Sequence, residues 1–393
     1  MDFDSWQKKQ GNTNVKAKEQ KTDVKQKSWK RELLELAIIA FVIVPLINIF
    51  VLQSYAIPTS SMENEMLVGD KLFVSKFHYG ARVPMTPIAF PYVHNTLFGA
   101  PSYTEAVKLP YMRLPGISPL KRNNIVVFNY PGDVKYDIPV DKRENYVKRC
   151  VAVAGDEIKM VEGEVFINGK PAEKLENLQH SYQVMTTNEP FNPKKIKELG
   201  ISEVYPFPRR GNSPPFPISK LGGVKASAYT FMLTEKAASA LEKMSNVQAV
   251  KKLIQPTEAV DVHIFPRDER LGWNLDNFGP IYLPKAGESI KLDSTNFAIY
   301  EYHIRNYEGE KDIMFKNNQA YLNGKAIDSY TFKQNYYFMM GDNRHNSADS
   351  RYWGFVPEDH IVGKPIFVWL STEKNATGWS DWVRWGKSMR TVQ

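Results

Sequence analysis

Gly341-Asp342-Asn343-Arg344-His345-Asn346-Ser347-Ala348-Asp349-Ser350-Arg351 carries charged or hydrogen-bonding side chains at nine of its eleven positions. It follows the apolar, aromatic-rich Tyr336–Met340, which reads as a strand, and it precedes Tyr352-Trp353-Gly354-Phe355. A loop held between two such apolar segments is packed down, and its polar groups must then be satisfied internally. Working outward, Asn124–Phe128 reads as a buried strand closed by a turn at Tyr130-Pro131-Gly132-Asp133, and Tyr146–Ala154 as another ending at Gly155-Asp156. Glu164–Ile167 runs into Asn168-Gly169, and Gln319–Leu322 into Asn323-Gly324, both hairpin signals. The chain is therefore expected to be mainly β.

Two further segments carry chemistry. Ile57-Pro58-Thr59-Ser60-Ser61-Met62 lies just past a long apolar run and, taken alone, reads as a linker. Tyr146-Val147-Lys148-Arg149-Cys150-Val151 places two cations side by side in a strand, so alternation sends them to opposite faces. A lysine buried on a dry face loses its proton more easily, by up to roughly 3–5 pH units. A neutral lysine amine can take the proton of a serine hydroxyl without any histidine. The seven histidines, His78, His94, His180, His263, His303, His345 and His360, stand in no nucleophile-elbow or His-Glu-x-x-His context.

Helix signals are few. Thr234–Leu253, with Thr234 as N-cap and apolar Leu241, Met244, Val247 and Val250, predicts a helix, and Asn192–Leu199 a short one. Residues 205–217 are Pro-rich and read as loop.

The net charge of +8 sits mostly in one place: residues 1–31 hold nine Lys/Arg and four Asp/Glu. A basic tail before an apolar run is a topology signal rather than a nucleic-acid face. Leu36–Leu52 is apolar but for Asn48 and Pro45, and no charge appears from Leu36 to Met62. This run of seventeen residues reaches the lower limit for a spanning helix, and Gln53–Ala56 are expected to extend it into the interface. A cleavable signal peptide is the competing reading, since Ser54-Tyr55-Ala56 resembles a cleavage site. The apolar run and the region before it are both long for that, which favours a retained anchor. Cys150, the single cysteine, excludes an intramolecular disulfide and a Cys-based metal site and reads as a buried hydrophobe.

Together the three polar segments resemble the sequence boxes of bacterial type I signal peptidases. The resemblance implies that Ser61, in a Pro-x-x-Ser-Met context, is the nucleophile and Lys148 the general base. It implies that Ser347 orients the lysine, that Asp349 and Arg351 form a supporting ion pair, and that Thr59 with the Ser61 N–H makes an oxyanion hole. Tyr55, Ile57, Pro58, Tyr146 and Val147 would line shallow pockets for small residues at substrate positions −3 and −1. No cofactor or metal is expected. The implied partners are the signal peptides of exported preproteins and the lipid bilayer, with no nucleic acid. The implied location is the bacterial inner membrane, N-terminus cytoplasmic and catalytic domain on the periplasmic side. The implied organisation is a basic tail (1–35), an anchor (36–54), and a discontinuous antiparallel β catalytic core (55–171 and 331–393). Residues 172–330, with the helix signals and the Pro-rich stretch between the two strand-rich parts, read from their own sequence as an inserted mixed β lobe.

Asn123-Asn124 and His345 depart from the family's usual residues, and the segments 81–120 and 172–330 are long for it. The other readings are an inactive membrane-anchored scaffold of the secretion apparatus, or a peptidase with one dedicated substrate.

Overall fold

A computed structural model describes residues 28–132, 138–209, 214–373 and 378–392. Most of the basic tail, Asp133 and part of the Pro-rich stretch therefore lie outside the described residues. The chain divides into two units, residues 1–44 and 45–393.

Helix α1 (Trp29–Phe50) is the one helix among the described residues that is long and apolar enough to cross a membrane. Its 22 residues reach about 33 Å, close to the roughly 30 Å of a hydrocarbon core. A π-helical turn occupies Ile39–Ile43. The helix does not continue through Gln53–Ala56, as the hydropathy suggested. Those residues form strand β1 (Leu52–Ala56), paired antiparallel with β2 (Asp70–Ser75). The ladder supplied by β2 outcompetes helix extension, where Gln53 and Ser54 bring no apolar face.

The main sheet runs in the order β1, β2, β7 (Ile361–Ser371), β3 (Ile125–Asn129), β4 (Asn145–Ala152), β5 (Tyr336–Met340) and β6 (Val356–Pro357), and every pairing is antiparallel. Short Arg390–Thr391 also pairs with β7. The chain is therefore mainly β with an N-terminal apolar helix. Strand β3 shows why a continuous apolar run was needed. Ile125 and Val127 enter one cluster with Met62, Met66 and Leu72, while Val126 and Phe128 enter another with Cys150, Met339 and Trp353. Period-two alternation thus covers both of its faces.

Strand Glu157–Val161 pairs with both Glu164–Ile167 and Phe278–Tyr282. The largest apolar cluster joins these strands to Phe297, Tyr300, Phe332, Phe338 and Phe355. A separate sheet orders Val204–Pro206, Ala228–Leu233, His180–Thr186 and Val247–Lys252, and it has its own core around Val184, Tyr229 and Phe231. The helix expected over Thr234–Leu253 is confined to Glu235–Leu241. Thr234 does cap it, its side chain accepting from the Ala237 N–H. Val247–Lys252 is instead a strand against Tyr182–Thr186. Apolar residues three apart did not exclude a strand, and the ladder with His180–Thr186 decided it. The short helix expected over Asn192–Leu199 is present as Pro193–Glu198, with the Asn192 side chain capping it by accepting from the Lys194 N–H.

Candidate active site

The segment after β1 turns sharply and is pinned by burial. Met62 and Met66 are fully buried, and the Met66 N–H donates to Met62 O. Ile57 is buried too, its N–H donating to Asp70 O. Between these anchors Pro58 and Thr59 are exposed, while Ser61 is 6% exposed.

Strand β4 brings Lys148 to Ser61. Its Nζ stands 2.6 Å from Ser61 Oγ and donates also to Val147 O at 3.0 Å. Lys148 is 4% exposed, and burial pushes its ammonium from 10.5 down to about 8. Asp349 and Asp342 oppose that shift, and Arg351 adds to it. Alternation gives Arg149 a different partner: its Nε and NH2 donate to the two oxygens of Asp342 at 2.8 and 2.7 Å. Both partners are buried, and the forked geometry is the strong form of the pair.

The loop after β5 closes over this pair. Asp349 and Arg351 form a second forked pair, at 2.8 Å through both contacts, with neither side chain exposed. Asp349 also accepts from the Gly341 N–H, and Ser350 Oγ accepts from the Met339 N–H. The loop reaches the serine directly, since the Asn343 N–H donates to Ser61 O at 3.1 Å. Gly341 admits this approach: a Cβ there would stand 2.2 Å from Ser347 Oγ and 2.7 Å from Ser61 O. Internal satisfaction, the requirement read from the loop's composition, is largely met.

Thr59 Oγ1 lies 3.4 Å from Ser61 Oγ. Tyr55, Tyr146 and Val147 are half-buried. Ser347 is 8% exposed, but its hydroxyl donates to Ala348 O at 3.4 Å. Among the described residues the hydrogen-bond partners of Lys148 Nζ are Ser61 and Val147, not Ser347.

The two departures from the expected pattern have partners of their own. Asn123 adopts φ 67°, a conformation asparagine tolerates, and its carbonyl accepts from Arg149. His345 accepts from the Ser181 N–H at 2.9 Å and faces Asp276 at 2.8 Å. Glu203 was not legible in the sequence at all. It accepts from Ser60, Asn343 and Asn346, and no local motif marks it.

Comparison with known proteins points to one family. A family model described as signal peptidase, peptidase S26, matches residues 30–238 and 285–370. The chain is similar to Signal peptidase I of Buchnera aphidicola (strain Sg), with 26% identity over 345 residues, covering 88% of this chain and 76% of that one. Signal peptidase I of Helicobacter pylori (strain J99) is 26% identical over 334 residues, 84% of this chain and 79% of its own. That of Aquifex aeolicus is 52% identical over a shorter 151 residues, 28% of this chain and 58% of its own.

Proposed function

The chain belongs to the signal peptidase family, peptidase S26, and from that premise we propose that it cleaves signal peptides with Ser61 as nucleophile and Lys148 as general base. The observation that carries this reading is the 2.6 Å contact between two buried side chains, Lys148 Nζ and Ser61 Oγ. Burial supports the base role, because a lysine held near 8 is partly neutral at working pH.

In the proposed cycle the neutral Lys148 amine takes the Ser61 proton as the oxygen attacks the scissile carbonyl. The resulting oxyanion is held by the Ser61 N–H and Thr59 Oγ1. Lys148 then gives its proton to the departing amine, leaving an ester on Ser61. A water, deprotonated by the same amine, attacks that ester; the bond to Ser61 Oγ breaks, Lys148 returns the proton to that oxygen, and the carboxyl product leaves. Asp349, Arg351 and Ser347 hold the loop that backs the dyad. Tyr55, Ile57, Pro58, Tyr146 and Val147 form the shallow apolar surface that admits only small residues at −3 and −1.

Helix α1, long and apolar enough to cross a membrane, supports a membrane-anchored enzyme. We place the basic tail in the bacterial cytoplasm and residues 55–393 on the outer side of the inner membrane, where Lys30 and Arg31 favour that orientation. A tethered catalytic unit meets signal peptides at high effective concentration.

The test is cleavage of a preprotein with Ala at −3 and −1 by detergent-solubilised wild type, Ser61→Ala and Lys148→Ala. Activity in wild type alone supports the dyad. Activity surviving in both variants refutes it, and an inactive, folded wild type favours the scaffold or dedicated-substrate reading.

A further inference from the structure

Glu203 sits outside the main sheet, directly before Val204–Pro206 of the separate four-stranded sheet, and is 9% exposed. Its carboxylate nevertheless reaches both halves of the candidate active site. One oxygen accepts from Ser60 Oγ at 2.5 Å. The other accepts from Asn346 Nδ2 at 2.8 Å and Asn343 Nδ2 at 3.1 Å. Ser60 immediately precedes Ser61, and the Asn343 N–H holds Ser61 O. The same sheet adds Tyr205, whose hydroxyl lies 3.3 Å from Asn346 Nδ2. Arg209 donates to Asn346 Oδ1 at 2.8 Å and stacks 4.0 Å from the Tyr205 ring.

A buried carboxylate is costly to keep charged unless donors surround it. Here a second one lies nearby: Glu63 is 6% exposed, and burial together with the charge of Glu203 pushes its carboxyl up to about 7. A buried carboxyl group met by three donors from two distant segments is a latch rather than a surface charge.

On the reading of Ser61 as nucleophile, we propose that Glu203 is a positioning residue for the cleavage reaction. It holds the Ser60–Ser61 turn and the 341–351 loop in register through one shared carboxylate. Ser60 and Asn343 are 283 residues apart in the chain and also touch directly, Asn343 Nδ2 donating to Ser60 O at 3.4 Å and Asn346 Nδ2 to Ser60 Oγ at 3.2 Å, and Glu203 adds the shared acceptor that ties these contacts together. A misplacement of about 1 Å in such a site can cost on the order of a hundredfold in rate. Because Glu203 is buried and touches the supporting segments, its loss is expected in kcat and not in KM.

The experiment compares kcat and KM of the full chain in detergent for wild type, E203L, E203Q and S61A. E203L removes both acceptor oxygens, and kcat should fall about 10- to 100-fold with KM within about twofold. E203Q can keep all three contacts, its amide donating to the Ser60 hydroxyl and its oxygen accepting from Asn343 and Asn346, and should restore most of kcat. S60A removes a donor from one carboxylate oxygen and serves if E203L does not fold. E203L or S60A with kcat within about twofold of wild type overturns the proposal. So does an E203Q no better than E203L, which would show that the hydrogen bonds do not position the site. S61A separates the two readings: if it stays active, the nucleophile is misassigned, whereas an inactive S61A beside a fully active E203L sinks the Glu203 proposal alone.

Discussion

Replacing Lys148 by Met should make the protein inactive and, near neutral pH, more stable. Burial holds the ammonium at about 8 instead of 10.5. At about 1.4 kcal/mol per pH unit, carrying the proton into the folded state costs about 3 kcal/mol. The unfolded chain keeps the ordinary lysine value. Between about pH 8 and 10.5 it therefore binds more protons than the folded chain, and stability rises with pH; below about 8 the whole penalty is present. Methionine fills similar space without charge but forfeits the hydrogen bonds to Ser61 Oγ and Val147 O, together worth roughly 1–2 kcal/mol. The net gain at pH 7 is then about 1–2 kcal/mol, and it should disappear or reverse by pH 10.5. Thermal midpoints of Lys148→Met and wild type in detergent, at both pH values, measure this, with Ser61→Ala controlling for the lost hydroxyl contact. A midpoint difference that does not change with pH would refute the reasoning. The same titration predicts that wild-type kcat/KM rises about tenfold from pH 7 to 9, as the base loses its proton.

Thr59→Val should lower kcat by about 100- to 1,000-fold, the usual worth of one oxyanion donor, with an unchanged thermal midpoint because the side chain is exposed; near-full activity would remove Thr59 from the site. Gly341→Ala forces a methyl into Ser347 Oγ and Ser61 O, so turnover should fall by about tenfold or more in a protein that retains its sheet content by circular dichroism. Arg351→Met strands the buried Asp349 carboxylate and should destabilise the fold by about 3–5 kcal/mol, read as a lowered midpoint.

Sequence and structure part company in instructive places. The strands Ile125–Asn129 and Tyr336–Met340 were legible as apolar runs, and Asn145–Ala152 because its β-branched and aromatic residues end at the Gly155-Asp156 turn despite two adjacent cations. Val247–Lys252 was misread as helix because its apolar spacing fits two periods, and only the pairing with Tyr182–Thr186 distinguishes them. Arg149 and Asp342 both stood inside quoted motifs, yet their ion pair spans 193 residues and leaves no local trace. Glu203 was further from view, since its meaning depends wholly on donors supplied by other segments. Local pattern carries elements and short motifs; it does not carry contacts that only the fold brings together.

The main sheet starts with β1 at Leu52 and takes its last short strand from Arg390–Thr391, so the order of synthesis matters. A ribosome adding roughly 10 residues per second needs about half a minute to pass from Ser60 to Asn343. Throughout that interval the serine exists without the loop that completes its surroundings. On the reading of Ser61 as nucleophile, a newborn protease of this design stays inert beside its own anchor and its neighbours until nearly the whole chain has been made, and translation itself becomes the safety catch.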